Sequence, residues 1–135
     1  MILNQNVTVF NNILSVTKIY NTGAAFGIFQ DKTFLLAAFS VFVIILISVY
    51  LIKNYKSLNF LGTIAWGLVL GGTVGNFADR MSVGYVLDFI RLDFVNFPIF
   101  NIADLCINTG AALLIIYMFT DTEKNTSHEP ENQIT

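Results

Sequence analysis

Uncharged apolar runs broken by short polar stretches divide this chain into its elements. No charge interrupts TFLLAAFSVFVIILISVYLI at 33–52, between Lys32 and Lys53. A helix of that length rises roughly 30 Å, enough to cross the hydrocarbon core of a bilayer. A second uncharged window at 57–78 is richer in glycine, and a third covers about 99–120. Ahead of them, 7–29 (VTVFNNILSVTKIYNTGAAFGIF) alternates imperfectly between apolar and polar residues. Its β-branched residues, the Asn11-Asn12 pair and the turn at Gly23 predict short strands. The predicted fold class is therefore a membrane all-α bundle of three transmembrane helices with a small β-element, confined to 1–32.

Charge orients these elements. The connection between the first two spans carries Lys53 and Lys56 and no acid, which places it in the cytoplasm. The 1–32 segment and the 79–96 connection then lie outside, and the tail lies inside. That tail, 121–135 (DTEKNTSHEPENQIT), is polar and lacks aromatics, so disorder is expected there. Residues 1–120 form the membrane domain. The N-terminal segment has neither the basic start nor the apolar core of a cleaved signal peptide.

Composition agrees with the pattern. Of 135 residues, 55% are hydrophobic and 12% charged, against about a quarter charged in soluble domains. A net charge of -2, unclustered, argues against a nucleic-acid partner. The single cysteine excludes an internal disulfide, and the single histidine, His128, lies in the tail, so no metal-ligand set is expected.

The chemistry sits where charge invades apolar sequence. In Phe97–Thr120 the one charged residue is Asp104, and a carboxylate near bilayer depth is functional by default. Asn101, Asp104 and Asn108 stand at i, i+3 and i+7, on one helix face. The competing reading is polar glue between helices. Asp88, in YVLDFI, is a second acid in apolar surroundings, or else a solvated loop charge. Asp93, beside Arg91, reads as solvated. Gly67, Gly71 and Gly75 form overlapping GxxxG patterns that predict a close-packed helix face. Asn76 and Arg80 stack one turn apart beyond them, placed to bind a peptide backbone or orient a carboxylate. Asp79 reads as an interfacial ion-pair partner of Arg80, and Cys106 as a small buried hydrophobe.

Two carboxylates brought together at a membrane surface suit aspartic proteolysis. Like charges a few ångströms apart do not both ionise, so such a pair shares one proton and titrates as a unit. The ionised member activates water, while the protonated one donates to the scissile carbonyl. No metal, cofactor or nucleophilic side chain is needed.

Three segments resemble the lipoprotein signal peptidase (signal peptidase II) family: YNTGAAFG at 20–27, GGTVGNFADR at 71–80 running into VLDFI at 86–90, and FPIFNIADLCIN at 97–108. They occur in the family's order. The resemblance implies a membrane aspartic endopeptidase that cleaves prolipoproteins just before a diacylglyceryl-modified cysteine. It places the catalytic dyad on Asp88 and Asp104, and supporting or substrate-binding roles on Asn21, Asn76, Arg80 and Asn101. It further implies a multi-pass protein of the bacterial cytoplasmic (inner) membrane, with its site near the extracytoplasmic face, no cofactor, and a monomer. The partners would be the lipidated signal peptide and membrane lipid; Phe26, Phe29 and Phe89 are candidates for a wall against acyl chains.

The family has four transmembrane helices and this sequence shows three. Asn4-Gln5-Asn6 stands where the family's first helix ends in an acidic stretch. The expectation is that Met1 is an internal or misassigned start, or that the chain is a truncated relative. Two non-enzymatic readings stay open: a relative that binds signal helices without cutting them, and a transporter subunit in which the two acids relay protons.

Overall fold

The computed structural model describes residues 6–24 and 28–126, with side chains described to Thr120. Along the chain come β1 (Val7–Phe10), β2 (Leu14–Asn21), α1 (Thr33–Asn54), α2 (Phe60–Val83), β3 (Val86–Leu92) and α3 (Ile102–Thr126). α1, α2 and residues 102–120 of α3 are each long and apolar enough to cross a membrane.

The first two strands fall where alternation predicts them. They turn at Asn11-Asn12, where Asn12 adopts φ 58°, a left-handed value that asparagine tolerates better than most residues. The third strand was not expected. Val86–Leu92 lies within the connection read as an external loop, yet it pairs antiparallel with β2 to give the order β1-β2-β3. The reading of Asp88 as a solvated loop charge is therefore wrong: Asp88 lies opposite Ile19 in the ladder and is 2% exposed. Phe26 lies outside the described residues, as do Ala25 and the last nine residues of the tail.

Local chemistry sets the helix ends. The Asn59 side chain accepts the Gly62 N–H at 2.9 Å, capping α2 at its start. Gly84, at φ 81°, stops α2 in the left-handed conformation and returns its N–H to the Arg80 carbonyl. At α3 the Asn101 side chain accepts the Asp104 N–H at 3.0 Å, while the Asp104 carboxylate accepts the Asn101 N–H at 3.2 Å. That reciprocal pair is a capping box in which Asp replaces the usual Glu or Gln.

α2 packs antiparallel on α3 through small residues, though not those the GxxxG repeat predicts. A Cβ on Gly72 would lie 2.4 Å from the Ala103 carbonyl oxygen, and one on Gly110 would lie 2.7 Å from that of Ala65. Cβ atoms on Gly67 and Gly71 would meet nothing within 4 Å. The predicted contact face is corrected accordingly, with only Gly75 of the repeat touching the seam, at Ala103. α1 lies on the other flank of α2, where the Tyr50 and Trp66 rings stand 4.8 Å apart.

Among the described residues the buried apolar side chains are Ala37, Ile47, Ala65 and Val86, whereas Ser15, Thr17, Asn76, Asp88 and Asn101 are buried polar ones. A bundle bathed in lipid has no need to hide its large apolar groups. Its interior is free to hold polar ones, provided they are hydrogen-bonded.

Candidate active site

Four elements meet at the end of the bundle opposite Lys53 and Lys56. The end of β2 brings Asn21, the last turns of α2 bring Asn76 and Arg80, β3 brings Asp88, and the start of α3 brings Asn101 and Asp104. Five of the six line one cavity of about 490 Å³. The sixth, Asn101, reaches it through hydrogen bonds.

Two carboxamides join the two carboxylates. Asn101 Nδ2 donates to Asp88 Oδ1 at 2.9 Å and to Asn76 Oδ1 at 3.1 Å. Asn76 Nδ2 then donates to Asp104 Oδ1 at 2.7 Å. On the far side, Asn21 Nδ2 donates to Asp88 Oδ2 at 2.8 Å. Every oxygen of both carboxylates thus accepts a hydrogen bond, which is what makes burial of such groups tolerable. Among the described residues Asn101 alone hydrogen-bonds both acids, using its side chain on Asp88 and its backbone N–H on Asp104.

Burial pushes the Asp88 carboxyl above its usual range, and the neighbouring charge of Asp104 adds to that effect. The hydrogen bonds from Asn21 and Asn101 and the charge of Arg80 act in the opposite sense without outweighing burial. Asp104, in the first turn of α3, sits where a helix favours negative charge.

Arg80 does not pair with Asp79. Its Nη1 donates to the Asn76 carbonyl at 3.2 Å and its Nη2 to the Gly23 carbonyl at 3.1 Å, tying α2 to the turn that precedes α1. That turn requires glycine, since a Cβ on Gly23 would lie 2.9 Å from the Ile28 carbonyl oxygen. The Arg80 Nε is buried without a partner beside the cavity. Asp79 instead accepts the Leu87 N–H at 3.4 Å. Asp93 is not simply solvated: it accepts the Ser15 hydroxyl and pairs with Arg91 at 3.5 Å.

The cavity's apolar wall also differs from expectation. Phe97, Pro98, Ile99, Phe100 and Ile107 line it. Phe29 is 57% exposed, and Phe89 faces a second cavity behind the two asparagines. Asn108 joins Asp104 on the cavity wall, as its spacing predicts. The capping role of Asn101 was legible in the sequence as Asn-x-x-Asp just ahead of an apolar run.

Known proteins resemble this chain in sequence and in fold. A family model described as Signal peptidase (SPase) II matches residues 1–120. The lipoprotein signal peptidase of Lactobacillus gasseri is 44% identical over 118 residues, covering 87% of this chain and 76% of that protein. That of Streptococcus thermophilus is 39% identical over 126 residues, covering 93% and 80%. A bacterial membrane enzyme solved by the in meso method at 2.3 Å superposes with a TM-score of 0.83 at 32% identity. The superposition covers 100% of this chain and 80% of that one.

Proposed function

Because the chain belongs to the signal peptidase II family of peptidases, we propose that it cuts the signal peptide from prolipoproteins just before their diacylglyceryl-modified cysteine. The observation that carries this reading is the bridged pair of buried Asp88 and half-buried Asp104, brought from two different elements to one cavity.

In this reading Asp88 holds the shared proton and Asp104 is ionised. Asp104 takes a proton from water as the water oxygen attacks the scissile carbonyl carbon, and Asp88 gives its proton to the carbonyl oxygen. In the second step Asp104 protonates the leaving nitrogen and Asp88 recovers a proton from a hydroxyl of the diol. The C–N bond then breaks, leaving a carboxylic acid and an amine, with both aspartates back in their starting states. The unpaired Arg80 Nε is available to a substrate carbonyl, and the Phe97–Phe100 wall faces the lipid-bearing part of the substrate. All six polar residues come from one chain, so a monomer suffices.

With Lys53 and Lys56 in the cytoplasm, the cavity opens at the outer face of the inner membrane. The proton-relay alternative calls for acids in mid-membrane. Asp88 is on a strand outside the spans and Asp104 is in the first turn of α3, which favours hydrolysis.

The test is cleavage of a diacylglyceryl-modified prolipoprotein by the 135-residue chain in lipid. Asp88→Asn and Asp104→Asn should each cut the rate at least about a thousandfold while still binding substrate. A parent that binds the substrate and never cleaves it would replace this reading with that of a signal-helix-binding relative.

A further inference from the structure

Asp79 is an acid with no ion-pair partner among the described residues, placed where a helix disfavours it. It lies in the last turns of α2, where the carbonyl end of the helix dipole repels negative charge. Neighbouring Arg80 directs its Nη groups to two carbonyls instead. The contact Asp79 does make is with the Leu87 N–H, one residue before Asp88.

The geometry of β3 gives that contact its meaning. β2 pairs with β3, and just after Asp88 the Phe89 and Ile90 N–H groups both go to the Phe100 carbonyl, at 3.0 and 2.8 Å. Just before Asp88, the Leu87 N–H goes to the Asp79 carboxylate at 3.4 Å. Asp88 therefore sits between two anchors, Asp79 on α2 before it and Phe100 after it. The stretch from α2 to β3 turns sharply at Gly84, so a fixed point at Leu87 sets the direction in which β3 leaves the helix.

We propose that Asp79 is a positioning residue, whose carboxylate clamps the Leu87 N–H and so holds Asp88 in register with Asp104. This rests on the dyad reading above. Displacing a reacting group by about an ångström costs up to about a hundredfold in rate with little effect on binding.

The experiment compares two replacements of similar size in the full chain in bilayers, by kcat and KM on the diacylglyceryl-modified prolipoprotein. Asp79→Leu, without an acceptor, should lower kcat about tenfold to a hundredfold and leave KM within about twofold. Asp79→Asn, which keeps an acceptor oxygen, should stay within about threefold of the parent. Parent-like kcat in Asp79→Leu would overturn the proposal. So would an Asp79→Asn as slow as Asp79→Leu, because charge rather than the clamp would then be what matters. If Asp79→Leu fails to fold by thermal unfolding in the same bilayers, Asp79→Ala takes its place with the same expectations. Asp88→Asn, run alongside, keeps the two failures apart. Cleavage retained there sinks the dyad reading itself, whereas a dead Asp88→Asn beside a fully active Asp79→Leu sinks the clamp alone.

Discussion

The seam between α2 and α3 has two halves built on opposite principles. Towards Lys53 and Lys56 it is dry: Gly62 meets the Tyr117 ring, and Gly110 meets the backbone of Ala65 and Val69. Towards the cavity it is polar, and Asn76, Asn101 and Asp104 hold the helices by hydrogen bonds. Gly72 against Ala103 marks the border. In lipid no hydrophobic force draws helices together, so the dry half depends on close backbone approach. It sets a separation without supplying any chemistry. The polar half holds the proposed dyad and tolerates little error, because an unpaired polar group in low dielectric is costly. The helix spacing fixed by the glycines is thus what brings the bridging asparagines within reach of the acids.

The sharpest way to break that division is a pair of adjacent glycines. Gly72→Leu should prevent α2 and α3 from docking, since even a Cβ there would meet the Ala103 carbonyl oxygen at 2.4 Å. Gly72→Ala should destabilise by about 1–3 kcal/mol, the usual range for overpacking, and lower cleavage with it. Gly71→Ala, next in sequence and facing open space, should be neutral or stabilise by up to about 1 kcal/mol through helix propensity. Thermal unfolding in bilayers and cleavage rate measure all three. Equal effects at Gly71 and Gly72 would mean that close approach does not set the spacing.

A smaller effect separates support from chemistry inside the polar half. Asn101→Ala removes both the α3 cap and the hydrogen bond to buried Asp88. It should cost about 1–3 kcal/mol of stability and slow cleavage about a hundredfold. Asn101→Ser keeps a capping oxygen and lacks the reach to Asp88. It should recover most of the stability and little of the rate. Recovery of both would show that Asn101 acts only as a helix cap.

The three spans were legible because charges flank each of them and none interrupts their central turns. The polar cluster on α3 was legible because three polar residues share one face of an apolar helix. β3 was not, and the site itself is the reason. In VLDFIRL the positions facing the interior include Val86 and Asp88, so an acid of the proposed dyad occupies a place where alternation calls for an apolar residue. Local rules fail most often where function overrides them. The glycine repeat misled for a geometric reason. A strict spacing of four drifts about 40° per step around a helix of 3.6 residues per turn. The face that packs is the stripe Ala65, Val69, Gly72 and Asn76, spaced four, three and four, which keeps to one side of α2.

The smallest effect expected is one of pH, and it discriminates between the two halves most cleanly. Burial raises the Asp88 carboxyl above the usual aspartate value of 3.8, against the pull of Arg80 and with the push of Asp104. A raised acid binds its proton more tightly folded than unfolded. Its contribution to stability is therefore complete below the usual value and is lost as pH rises through the raised one. Each unit of elevation corresponds to about 1.4 kcal/mol. Asp88→Asn, uncharged at every pH, should abolish that loss and leave a flatter stability profile above pH 3.8. Gly72→Ala should shift the whole profile down without changing its shape over the acidic range, since no carboxylate is among the described side chains of the dry half. Unfolding midpoints across the pH series decide this. A parent profile as flat as that of Asp88→Asn would show that Asp88 ionises freely, removing the basis for giving it the shared proton.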